Sequence, residues 1–212
     1  ATKLFHTIEG GAIITEDDEL AGRVRRMINF GIVDAERIEG VGINAKLNEV
    51  SAAMGLCILD ELEDILARRA VIGQHYERRL QGAFDLQRPT YGTQLNYSYF
   101  PVALRDEPSL LDTKKALNAV GINPRRYFYP SLETLDYLQP QAIKPVSRKL
   151  SHRILCVPLY PDLPQATQDL LIDTLLLAQQ KKTSMESLRA LITPAQLLPS
   201  WDFPGDSSPV LT

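Results

Sequence analysis

Lys3 is the side chain best placed for covalent chemistry. It stands ahead of a Glu9-Gly10-Gly11 turn and the apolar run Ala12-Ile13-Ile14. A neutral amine attacks carbonyl carbon, and a Gly-Gly turn lets backbone approach a bound group closely. On residue type alone a surface lysine is the default reading, since Lys3 is one of 23 Lys and Arg residues. Asn44, in Gly42-Ile43-Asn44-Ala45-Lys46, offers an amide that donates a hydrogen bond without adding charge. Gly-x-Asn before a helix is also ordinary turn chemistry. Arg125, Arg126, Tyr127 and Tyr129 combine cations and phenols, which suit an anionic, hydroxyl-bearing ligand. They suit an edge strand with aromatic packing equally well.

Other chemistries find little support. Glu16, Asp17 and Asp18 sit at a helix start, where the helix dipole explains acids. There is no nucleophile elbow, no Gly-x-Gly-x-x-Gly and no P-loop. His6, His75 and His152 are too scattered for a zinc site. His6 suits a turn or packing role, and His75 a surface position on a helix. The two cysteines, Cys57 and Cys156, match no metal spacing and read as buried free thiols, consistent with a reducing cytoplasm. A net charge of -3 with dispersed basic residues disfavours nucleic acid as a partner. No apolar run approaches the ~20 residues of a membrane span, and the first residues carry no signal-peptide pattern.

The elements that would position these residues follow from periodicity. Residues 10–14 read as a turn into a short buried strand, the apolar run 12–14. A helix follows, starting at Thr15 with Asp18 in a capping-box-like position and ending near Gly31. The stretch 31–46 is irregular, and a loop of that length is usually functional or mobile. Asn48 is a good N-cap for the longest helix, Glu49 to Leu80. Ala52, Ala53 and Gly55 make its first turns narrow. Leu59, Leu62, Ile65 and Leu66 form an apolar stripe, with Arg68, Arg69, Arg78 and Arg79 on the wet face. Beyond Gly82, strands at 96–104 and 154–159 and helices at 109–120 and 165–180 suggest an α+β domain, with 125–130 a strand or extended loop. Residues 131–150 read as loop. Residues 183–212 read as a disordered tail holding one short helix at 188–198.

Several of these segments together resemble the DegT-type sugar aminotransferases, pyridoxal-phosphate enzymes of fold type I. Lys3 with Glu9-Gly10-Gly11-Ala12 is similar to the stretch around that family's Schiff-base lysine. Asn29-Phe30-Gly31 matches its Asn-x-Gly segment, and Gly42 to Gly55 its Gly-x-Asn-x-Arg/Lys signature. Arg125–Pro130 and Leu155–Pro161 resemble two segments of its small domain. The family's Ser and His before the lysine would precede Ala1. The resemblance implies an α/β fold: 1–82 the end of the large cofactor domain plus an interdomain helix, 83–182 a small α+β domain.

It further implies that Lys3 carries the cofactor and moves the proton, and that Asn44 reaches the cofactor phosphate across a homodimer interface with shared sites. Arg125, Arg126, Tyr127 and Tyr129 would contact the nucleotide-sugar. The implied reaction is cytoplasmic transamination of a nucleotide-linked keto-deoxysugar, dTDP-4-keto-6-deoxyglucose, with glutamate as amino donor. Such products serve deoxyaminosugar biosynthesis, as in O-antigen and other polysaccharides. Related dehydratases carry His where this family has Lys, so Lys3 favours transamination. The chain alone would hold the cofactor poorly, because the family's ring contacts lie upstream. The alternatives are a non-catalytic regulatory or interaction module of the same family, or an inactive fragment.

Overall fold

The structure is a computed structural model, which describes residues 3–138 and 144–180. The expected tail and its short helix lie outside the described residues. By its internal contacts the chain divides between Ile65 and Leu66 into two compact units.

The first unit contains α1 (Asp18–Met27) and the opening half of α2 (Glu49–Leu80). Asp17, not Thr15, caps α1: its carboxylate accepts from the Leu20 N–H at 3.0 Å, while the Thr15 hydroxyl accepts from the Asp17 N–H. A side-chain oxygen two residues nearer the helix satisfies a free amide that Thr15 cannot reach. Asn48 caps α2 as expected, its Oδ1 accepting from the Ser51 N–H at 2.8 Å. The expected strand at 12–14 is absent, and Ile14 is 94% exposed. A strand needs a ladder partner, and no described residue pairs with it.

The loop 31–46 is ordered by backbone bonds rather than by elements. Gly31 turns out of α1 at φ +77°, a conformation glycine adopts without strain. The chain then doubles back onto the helix end, with Phe30 N–H to Ile43 O, Ile43 N–H to Met27 O and Ala45 N–H to Ile28 O, all at 2.8–3.0 Å. Gly42 crosses so close that a Cβ there would lie 2.0 Å from Gly31 N.

The second unit holds the core. β1 (Asp85–Leu86), β2 (Phe100–Ala103) and β3 (Ile154–Val157) form an antiparallel sheet in that order. Val102 faces Leu155 and Phe100 faces Val157, so one face carries the large apolar side chains. On it lie α3 (Glu107–Ala119) and α5 (Gln165–Gln179), which pack on each other. Ile72, Tyr76 and Leu80, at four-residue spacing on α2, complete the core with Leu110, Leu117 and Leu171. The Tyr76 hydroxyl donates to Pro158 O at 3.0 Å, and burial pushes the phenol above its ordinary pKa.

Several expectations need correction. β2 starts at Phe100 rather than at residue 96, because Tyr97 takes a left-handed φ of +50° and breaks the ladder. α3 begins at Glu107, capped by Asp106, and α4 (Pro145–Ser151) lies where loop was expected. Both hold proline in the first turn, where its missing N–H costs no bond, so proline there opens a helix instead of breaking it. Arg69 is buried, not on the wet face. Its guanidinium donates to the carbonyls of Tyr97 and Ser98, both at 2.8 Å. His75 is partly buried against Asp169 at 2.9 Å. Cys57 is exposed while Cys156 is buried, its thiol pushed up to about 11 by burial.

Candidate functional site

The lysine-bearing strap is held by small residues. Lys3 is exposed. Just beyond it, Phe5 and Thr7 pack against Gly55 of α2, where a Cβ would come within 2.9 Å of the Thr7 methyl. Gly10 is needed for the strap's own packing, since a Cβ there would meet Thr7 Oγ1 at 2.2 Å, whereas Gly11 faces open space. The His6 ring accepts from the Ile8 N–H at 3.3 Å, a turn role. The narrow start of α2, visible in the sequence, therefore seats the segment that carries the lysine.

Asn44 lies on the doubled-back loop of the same unit, in a bridge with Asn29. Its side chain is exposed, and its Oδ1 accepts from Lys46 Nζ at 2.8 Å. Lys46 in turn sits 4.0 Å over the Phe30 ring. With Oδ1 occupied, the amide NH2 and the remaining ammonium protons are left to donate outward. A neutral amide beside an ammonium suits a phosphate group. Lys46 was legible only as a position in the Gly42–Gly55 motif; its pairing with Asn44 and Phe30 is a tertiary fact.

Arg125, Arg126, Tyr127 and Tyr129 lie in the second unit and divide into two roles. Arg125 is exposed, and its backbone exchanges two hydrogen bonds with Cys156, at 2.9 and 2.8 Å, along the free edge of β3. Arg126 is turned inward: it pairs with Glu107 and stacks over the Tyr129 ring at 3.4 Å. Its Nε is buried without a partner. Glu107 also accepts from His152 Nδ1 at 2.8 Å. The His152 bond first, and Arg126 second, hold the Glu107 carboxyl below the ordinary carboxylate range. Tyr127 stacks on Phe128 and leans on Tyr99, ring centres 5.3 Å apart. Glu107 and His152 escaped the sequence reading because 45 residues separate them, and no local pattern pairs them.

Comparison with known proteins places these residues in context. Residues 1–176 match the sequence model of the DegT/DnrJ/EryC1/StrS aminotransferase family. A dTDP-4-amino-4,6-dideoxy-D-glucose transaminase of Shigella dysenteriae is 30% identical over 182 residues, covering 82% of this chain and 50% of its own length. The enzyme of that name from Escherichia coli is 32% identical over 164 residues, covering 73% of this chain and 44% of its own. The solved structure of DesI in the presence of its TDP-sugar product superposes with a TM-score of 0.74 at 28% identity, over 88% of this chain and 49% of that one. The chain spans about half the length of the curated relatives it matches.

Proposed function

Because the chain belongs to the DegT/DnrJ/EryC1/StrS aminotransferase family, we propose that it is the Lys-bearing half of a transaminase acting on a nucleotide-linked keto-deoxysugar. The family's enzymes use pyridoxal 5'-phosphate, which when bound supplies the electron sink that acidifies the carbon bearing the amino group. The observation that carries this reading is the exposed Asn44–Lys46 donor pair, on a loop tied to α1. Its chemistry fits a phosphate.

Lys3 Nζ is the point of covalent attachment. Once released, it takes the proton from the amino-bearing carbon and returns it one position along, as general base and then acid. Asn44 and Lys46 anchor the phosphate; a second copy of the chain would bring this loop to the site. Arg126 and Tyr129 hold each other and shape the segment. Relatives named as dTDP-4-amino-4,6-dideoxy-D-glucose transaminases support C4 of a dTDP-linked sugar as the position aminated; glutamate as donor rests on the family resemblance alone.

The test uses this chain with the family's upstream half supplied in trans. Borohydride reduction in the presence of pyridoxal phosphate should fix the label on Lys3, read by peptide mass mapping. Label spread over other lysines, or dimerisation without any label, would favour an interaction module instead.

A further inference from the structure

The second unit holds an open pocket of about 390 Å³ beside β3, between the turn after α3 and the approach to α5. That lies within the roughly 300–1,000 Å³ of small-molecule sites. Its apolar lining comes from Ile122, Val157, Leu159 and Leu163, all buried. Its polar side chains are the Tyr99 and Tyr160 phenols, Asn123, Thr167, the Cys156 thiol and Arg125, the last being the cation among them. Among the described residues no Asp or Glu lines it, and no carboxylate pairs with the Arg125 guanidinium. The pocket therefore presents one uncompensated cation above an apolar floor.

The wall is built rather than incidental. Tyr99 follows a strap whose Tyr97 sits at φ +50°, a strained conformation for a non-glycine residue. The strap is held from two sides. Arg69 clamps the carbonyls of residues 97 and 98, and the Tyr97 ring lies where a Cβ on Gly73 would come within 2.7 Å. On the far side, the paired backbone of Arg125 and Cys156 fixes where the cation stands. A hydrogen bond with Tyr127 raises the Tyr99 phenol above its ordinary pKa.

We propose that this pocket binds a small monoanion with a flat apolar body, of the aromatic carboxylate class, the ring on the floor beside Tyr99 and the carboxylate on Arg125. The site stands apart from the transaminase reading and needs no cofactor. The probe is 1-naphthoate, titrated into the full chain by calorimetry, with 1-naphthalenemethanol as its neutral counterpart. Saturable one-to-one binding of the acid is expected, with the alcohol weaker. Arg125→Gln should weaken the acid about tenfold or more and leave the alcohol unchanged, as loss of a charge-assisted bond requires. Leu163→Trp, which fills the floor, should abolish both; Arg125 is exposed, so its variant carries the test if the Trp variant fails to fold. Absence of saturable binding, equal affinity for acid and alcohol, or an unaffected Arg125→Gln would overturn the site. Displacement of 1-naphthoate by thymidine diphosphate would assign the pocket to the sugar substrate and overturn its independence.

Discussion

Gly42 shows how much one missing Cβ can decide. A Cβ added there would meet backbone atoms of Gly31 and Phe30 at 2.0 and 2.1 Å, and these cannot swing aside. Gly42→Ala should therefore lift the loop off the end of α1. The Ile43 and Ala45 amides, bonded to Met27 and Ile28 in the wild type, should then exchange with solvent at least about tenfold faster, as loss of ~1.4 kcal/mol of local protection implies. Unchanged exchange would mean the loop is held elsewhere. Asp106 offers a second measurement. Hydrogen bonds from Ser109, by side chain and backbone, and then from Arg105 lower its carboxyl to about 2. Its folded pKa lies below the unfolded value, so its contribution to α3 is present above about pH 4 and is lost as pH falls toward 2. A carbon-detected titration should place the Asp106 midpoint near 2; a midpoint near the ordinary value would contradict the cap.

Among the elements, α2 does the most to organise the chain. Asn48 starts it, and Asn48→Ala should cost about 1 kcal/mol through the lost cap. Urea unfolding followed by far-UV circular dichroism would read that loss. Further along, α2 meets the α5 region in a fixed register. Arg68 bonds Asp162, His75 bonds Asp169 and Arg79 bonds Asp173, each pair separated by the same 94 residues. Burial alone would raise the Asp169 carboxyl, but bonds from His75 and Gln165 hold it below its ordinary range. A constant offset means the two segments run in the same direction with matched spacing. The sequence placed these charges on a helix face; the surface reading failed for His75 because α5 covers it, and for Arg69 because the 97–98 backbone does.

At the scale of the molecule, the two units are built differently. The second has a closed apolar core in which Leu171 is fully buried. Leu171→Ala should destabilise it by about 2–5 kcal/mol, from lost transfer energy and the cavity left behind. A shift in the urea midpoint of less than the low end would argue against the packing described. The first unit instead exposes Ile14, Val41, Val50 and Leu56. Its order comes from backbone bonds at the end of α1 and from glycine contacts. The Cys57 expectation failed for this reason: an apolar helical pattern predicts a buried face only where something lies against it.

The sequence alone determined the long helices and the family. α2 runs over the very residues its pattern indicates, and Gly31 and Gly121 turn where helices end. These are local properties, set by side chains a few positions apart. The motifs around Lys3 and Asn44 were legible as strings of residue types in order. The tertiary structure decided which of those residues remain available. Arg125 and Arg126 are neighbours and look alike in sequence, yet one lines an open pocket and the other is held by Glu107. A polar side chain's role depends on partners tens of residues away, and burial removes it from solution or leaves it free according to contacts that no local spacing encodes.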